Sequence, residues 1–179
     1  MKDIVRGDQV LTEDGSFVRV LYILKTVCTD GKMCFVHIPK TDLKITHYHP
    51  MKTGGVGDTG SGSSQWCFPI EYHSNMVTLP CQAIYSFVLD DSEAYTVQIN
   101  STWCVTFGHN FRHLPTSNRN TSNGAMAPNP DNKSLLYHPY FGHRELVVKQ
   151  LGEICGRQGS IRSGVATVTP DFICRDDTG

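Results

Sequence analysis

The segment Thr46-His47-Tyr48-His49-Pro50 holds two histidines within four residues, and His49 directly precedes a proline. A free imidazole has a pKa near 6.5, so it takes up and releases protons at neutral pH. The segment can therefore supply proton transfer to a reacting group. Taken alone, such a short motif is more often only the end of a strand.

A zinc site is an alternative use of the same histidines. Imidazole and thiolate are ligands that zinc prefers, and His47, His49 and one of the chain's 7 cysteines are candidates. The ligand spacing is irregular, and no cysteine pair has the spacing of a zinc ribbon. We therefore expect no metal and no cofactor. We interpret most of the cysteines as small apolar core residues in a reducing compartment.

Composition narrows the classes of partner. The 179 residues are 39% hydrophobic and 18% charged with a net charge of -1, which is typical of a globular chain. No basic block favours a nucleic acid or an anionic membrane. No apolar run approaches the roughly 20 residues that span a bilayer, and no signal peptide is visible. We expect no membrane, nucleic-acid or small-molecule partner, and a cytoplasmic location is favoured unless the true N-terminus is missing.

The elements that must position these residues are mainly strands. Apolar residues alternate with polar ones in several short segments before Phe111, and Gly and Asp mark the turns between them. Short strands at near-regular spacing predict an all-β architecture. The alternating sets are Val18, Val20, Tyr22 and Leu24; Ala83, Tyr85, Phe87 and Leu89; Tyr95, Val97 and Ile99; and Trp103, Val105 and Phe107.

The composition changes after Phe111. Residues 53–64 and 112–134 are poor in apolar side chains and rich in small or turn-forming residues, so we interpret both as surface loops. Beyond them, one helix is predicted at about 143–154, because Leu146, Val147, Leu151 and Ile154 share a helical face. We divide the chain into a β domain at 1–111, a flexible loop at 112–134 and a C-terminal extension at 135–179 that packs on the β domain.

Five motifs occur in a recognisable order along nearly the whole chain. They are GDQVLTEDG, THYHP, IYSFVLD, VTFGHN and HPYFGH. In this order they resemble the Hint superfamily of Hedgehog autoprocessing domains, inteins and bacterial intein-like domains. They are most similar to the Vint variant that is attached to von Willebrand A domains. The resemblance implies an all-β Hint fold, here with a C-terminal extension that contains one short helix.

The resemblance also implies acyl transfer within the chain. In such domains a Cys or Ser attacks the preceding peptide carbonyl, and the amide becomes a thioester or an ester. The histidine of the T-x-x-H motif contacts the scissile amide nitrogen and the threonine helps to hold the geometry. By the motif match these residues are Thr46 and His49.

A second match implies cleavage at the other end. His109-Asn110 corresponds to the His-Asn pair that closes inteins, where the Asn side chain attacks its own backbone carbonyl and the His assists. The next residue is Phe111, which has no nucleophile, so transfer to a following segment is unsupported. The same residues can equally form a plain turn after a strand.

Several positions depart from the family pattern. Ser86 and Glu93 stand where inteins commonly place an acid and a histidine. No Cys or Ser precedes Gly7-Asp8 at the position of the nucleophile. We therefore expect either a fragment whose parent chain supplies the nucleophile or an incomplete, inactive domain.

Three functions follow as alternatives. The first is single-turnover cleavage of the chain's own flanking polypeptide. The second is a catalytically inactive structural or protein-interaction module of a larger von Willebrand A-type protein, and the third is the zinc module. The first requires that His49 and His109 share a cleft with Thr46 beside His49.

Overall fold

The computed structural model describes residues 3–52, 66–109 and 142–170, and strands dominate that part of the chain. One helix exceeds a single turn, so the predicted all-β fold with a C-terminal helix is confirmed. The predicted loops 53–64 and 112–134 lie outside the described residues. The strands are β1 (Gln9–Leu11), β2 (Phe17–Val27), β3 (Lys32–Ile38), β4 (Leu43–Ile45), β5 (Met51–Lys52), β6 (Trp66–Cys67), β7 (Met76–Pro80), β8 (Ala83–Leu89), β9 (Thr96–Ile99), β10 (Thr102–Val105) and β11 (Val165–Val168), and the helices are α1 (Pro69–Tyr72) and α2 (Arg144–Gln158).

The turn between β1 and β2 is specified by its own side chains. Gly15 has a φ of 85°, a conformation that glycine adopts without steric cost. The Asp14 carboxylate accepts hydrogen bonds from the Thr12 and Ser16 hydroxyls at 2.5 and 2.8 Å. These bonds, with that to Thr12 foremost, lower the pKa of Asp14 to about 2. The turn therefore fixes the antiparallel register in which Leu11 faces Phe17.

Strand β2 is the centre of the fold. It pairs with β1 near its start, with β8 in antiparallel register along most of its length, and with β11 in parallel register. Successive side chains of a strand point to opposite faces. Ile23 accordingly enters one apolar core, with Val36 and Leu89, while Leu24 enters a second core.

Two smaller sheets complete the β structure. One has the order β4-β3-β7, and the other has the order β6-β5-β10-β9. The sheet with β5 joins distant segments, because Met51 pairs with both Cys67 and Cys104. Strand β6 consists of Trp66 and Cys67 alone. Pro69 begins α1, where its missing N–H is not needed.

Helix α2 covers the far face of β2. Val147, Leu151, Ile154 and Cys155 are buried against β2, β8 and β11. The helix runs four residues beyond the predicted end at 154. It passes through Gly156 and ends at Gly159, whose left-handed conformation lets its N–H bond the Cys155 carbonyl. The helix and β11 thus bury residues of the C-terminal segment against β2.

None of the helices in 3–52, 66–109 and 142–170 combines the length and the apolar character needed to cross a membrane.

Candidate active site

The T-x-x-H motif forms a turn between β4 and β5. The His49 N–H donates to the Thr46 carbonyl at 3.2 Å, which holds the two residues side by side. The Pro50 carbonyl accepts from the N–H of Val105 at 3.0 Å, so β10 anchors the turn just before β5 begins. The position of His49 therefore depends on a strand more than fifty residues further along the chain.

The His49 ring is tethered to the same strand. Its Nε2 lies 2.9 Å from the carbonyl oxygen of Val105. A carbonyl can only accept, so Nε2 carries the hydrogen, and in the neutral ring Nδ1 holds the lone pair. This one backbone contact assigns the tautomer and leaves Nδ1 as the basic atom of His49.

The imidazole of His49 is desolvated, although part of the residue still reaches the surface. Burial lowers the pKa of His49, and the bond to the Val105 carbonyl offsets part of that effect. A charged imidazole loses hydration when it is enclosed, so the neutral form is favoured. His49 is therefore neutral at neutral pH.

His109 is buried at the end of the segment that follows β10, with 8% of its surface exposed. Burial first, and the proximity of His49 second, lower the pKa of His109 to about 4. Two positive charges near each other repel, so protonated His49 makes it harder to protonate His109. The two imidazoles therefore interact electrostatically. His109 is neutral at neutral pH as well. Asn110, the last of the predicted site residues, lies outside the described residues.

Gly108 places His109 close to helix α2. Its φ is 68°, and a Cβ at this position would lie 3.3 Å from the Cα of Arg144 and 3.5 Å from the Cβ of Val147. A side chain would crowd the first turn of the helix. The glycine therefore allows the site and the helix to approach each other.

A cavity of about 170 Å³ opens beside the T-x-x-H turn. Thr46, His49, Tyr85 and Ser86 are the residues with hydroxyl or imidazole groups among those that line it. His109 is not among the described residues that line it, and its link to this cavity is the electrostatic effect of His49 on its pKa. Apolar residues of β3, β4 and β9 also line it, namely Phe35, Leu43, Ile45 and Ile99.

The two positions that depart from the intein pattern have different surroundings. Ser86 lies on β8, opposite Leu24 of β2, and lines the cavity. Glu93 is exposed in the turn before β9, where its N–H bonds the Asp91 carboxylate at 2.8 Å. Ser86 thus lines the cavity at the position where the resemblance implies an acid, and Glu93 is not among the residues that line it.

His47 does not share the surroundings of His49. Its ring meets Tyr48 edge-on at 6.2 Å, and within the described residues its buried Nε2 has no hydrogen-bond partner. No group of three or more His, Cys, Asp or Glu side chains suited to hold a metal occurs in 3–52, 66–109 or 142–170. The zinc alternative thus gains no support from the described part of the chain.

Two contributors to the site are not among the predicted site residues. Tyr85 was interpreted only as one of the alternating apolar residues of a strand, although it lines the cavity. The Val105 carbonyl orients His49, and a backbone acceptor carries no residue-type signal. The tyrosine could have been suggested by its place beside Ser86 in the IYSFVLD motif.

The all-β fold is that of a Hint domain, a class of domain related to protein autoprocessing. The chain belongs to the Vint family of Hint domains, whose family model matches residues 1–176. No curated protein matches the chain significantly.

Proposed function

We propose that this domain rearranges one peptide bond of its own polypeptide in a single turnover, with the scissile bond held at the cavity of Thr46, His49 and Ser86. One observation carries the proposal. A desolvated histidine of assigned tautomer lines a cavity and is electrostatically coupled to a second buried histidine, His109. Membership of the Hint class supports it.

The proposed first step is an acyl shift. A thiol or hydroxyl supplied by the parent chain attacks a peptide carbonyl, the C–N bond breaks, and a thioester or ester forms. Nδ1 of neutral His49 accepts the proton of the nucleophile and delivers it to the departing amide nitrogen. Thr46, held beside His49 by its carbonyl, positions the peptide.

The proposed second step is cleavage after Asn110. The side-chain amide nitrogen attacks the residue's own carbonyl carbon, a succinimide forms, and the bond to Phe111 breaks. Proton transfer by His109 contributes roughly a hundred- to ten-thousand-fold. Because Ser86 stands where an acid is expected, this step is slow. Mass spectrometry should find the purified chain intact, with at most a trace fragment that ends at Asn110. Rapid cleavage that Asn110→Ala abolishes would contradict this expectation.

The partner is the flanking polypeptide of the same chain, and we propose a von Willebrand A domain as that flank. A second candidate function is an inactive Hint module kept for structure or protein interaction. Ser86 favours this alternative, because a hydroxyl cannot replace a carboxyl group as a proton source at neutral pH.

The test of the first step is a fusion in which a carrier protein, a cysteine and linkers of graded length precede Met1. Hydroxylamine cleaves thioesters and esters but leaves ordinary amides intact. We expect carrier release at one linker length, loss of release in His49→Ala, and retention in His73→Ala, because His73 lies outside the cavity. Release that is absent at every linker length, or that persists in His49→Ala, favours the inactive module.

A further inference from the structure

Two thiols meet where the central strand ends. Cys28 follows β2, and Cys81 lies between β7 and β8. Their Sγ atoms are 3.4 Å apart. The contact joins residues separated by 53 positions, and neither cysteine lines the cavity of the histidine site.

The backbone fixes both cysteines. The Cys28 N–H donates to the Gln82 carbonyl at 2.9 Å, which extends the β2–β8 ladder by one step. The Cys81 N–H donates to the Gly31 carbonyl, also at 2.9 Å, and Gly31 in turn donates to Cys28. A disulfide needs its sulfur atoms about 2.05 Å apart, so they must approach by roughly 1.4 Å. Rotation of the side chains supplies such a movement while the backbone stays in place.

Other thiols of the chain have different surroundings. Cys104 is fully buried in the core, where burial raises its pKa to about 12. Cys155 belongs to the buried face of helix α2. Cys28 and Cys81 are both half-buried, so a small reagent can reach them. Burial, followed by the contact with Cys81, raises the pKa of Cys28 to about 11.

We propose that Cys28 and Cys81 form a reversible disulfide when the domain meets a small-molecule disulfide. The thiolate of one cysteine attacks the reagent, and a mixed disulfide forms as one thiol of the reagent leaves. The second cysteine attacks the mixed disulfide and releases the other thiol. The protein loses two protons and two electrons, and the reagent takes both up as it becomes two thiols.

The cross-link would tie the end of β2 to the start of β8. Tyr85 and Ser86 of strand β8 line the cavity, so the disulfide would restrain a strand that forms part of the cavity wall. Cross-linking residues far apart in sequence restricts the unfolded chain. We expect the midpoint of thermal unfolding to rise on the order of 10 °C on oxidation. This inference does not depend on the proposed self-cleavage.

The test uses a tryptic peptide that contains Cys28 alone. Lys25 and Lys32 delimit residues 26–32, which hold no other cysteine. The folded chain is incubated with oxidised glutathione, remaining thiols are alkylated, and the digest is analysed without reduction. We expect peptide 26–32 to disappear as a free species and to return after reduction. Because Cys28 is protonated at neutral pH, the cross-link should form faster at pH 9 than at pH 7.

Single substitutions identify the partner. In Cys81→Ser the peptide 26–32 should remain unlinked to the chain, either alkylated or as a glutathione adduct. In Cys34→Ser and Cys67→Ser it should still disappear. The rise in unfolding midpoint should be absent in Cys28→Ser and Cys81→Ser. The proposal is overturned if peptide 26–32 of the unmodified chain stays unlinked, or if it still disappears in Cys81→Ser.

Discussion

The two faces of strand β2 support regions of opposite character. On one face lies the helical layer, formed by α2 and β11, in which Leu24, Val147 and Leu151 are almost fully buried. The other face supports strands β5 and β10, which hold the site region, defined as the turn 46–50 and residues 108–109. The site region contains the tethered His49 and the buried His109.

The contrast shows how a small β domain divides stability and chemistry. Burial of apolar side chains in the helical layer stabilises the fold in proportion to the area removed from water. Enclosing imidazoles in the site region instead costs the charged form its hydration. The free energy gained by burial in the helical layer thus offsets the cost of enclosing polar groups in the site region. The two regions meet at Gly108, which has helix α2 within van der Waals contact.

The largest expected effect tests the helical layer. Leu151 has no exposed surface, so Leu151→Ala should lower the free energy of unfolding by about 3 kcal/mol through lost burial and a residual cavity. Denaturant titration measures the change. The control is Ile161→Ala, at a side chain that is 57% exposed, where a change within about 0.5 kcal/mol is expected. If the two substitutions lowered the free energy of unfolding equally, the helical layer would not have the stabilising role described above.

The next effect tests the site region through pH. The pKa of His109 is about 4 in the folded chain, compared with 6.5 when the ring is not buried, as in the unfolded chain. As the pH falls, the unfolded chain therefore binds a proton at His109 before the folded chain does. The stability due to neutral His109 is fully present above pH 6.5 and is lost as the pH falls towards 4. At pH 5 the loss should be about 2 kcal/mol relative to pH 7.

Substitution separates His109 from the other histidines. Denaturant titrations at pH 7 and pH 5 should show a smaller difference in His109→Gln, since this variant lacks the titrating ring. His73→Gln should behave like the unmodified chain. An unchanged pH difference in His109→Gln would mean that His109 is not the desolvated group.

The smallest effect tests the junction of the two regions. Gly108→Ala and Gly31→Ala both introduce a side chain at a φ above 60°, which costs about 1 kcal/mol. Gly31 has open space around it, whereas a Cβ on Gly108 meets the helix. Denaturant titration should show about 1 kcal/mol more destabilisation for Gly108→Ala. Equal costs would mean that the site does not press against α2.

The sequence predicts the long elements well. Strands β2 and β8 carry apolar residues at every second position from 18 to 24 and from 83 to 89, and the apolar face of α2 follows a helical period. The predicted helix ended at 154, because the apolar pattern stops before Gly156. Packing of the preceding turns carries the helix past that glycine until Gly159 caps it.

The short elements cannot be predicted from a local sequence pattern. Strands β5 and β6 have two residues each, and Met51 pairs with Cys104 from a distant segment. Two residues carry no periodicity, so the partner strand defines them. The same holds for the site, since only the resemblance to Hint domains, and no local pattern, predicts His49 and His109. The bond to the Val105 carbonyl comes from the fold alone.

The central claim is that two histidines from distant segments form one site and are both neutral at neutral pH. Nuclear magnetic resonance titration of the ring nitrogens and carbons measures this most directly. We expect His109 to titrate near pH 4 and His49 below 6.5, with the hydrogen of neutral His49 on Nε2. His49→Gln should raise the pKa of His109, because it removes a neighbouring like charge, and His73→Gln should leave it unchanged. Titration of both rings near 6.5, with His109 unaffected by His49→Gln, would contradict the account.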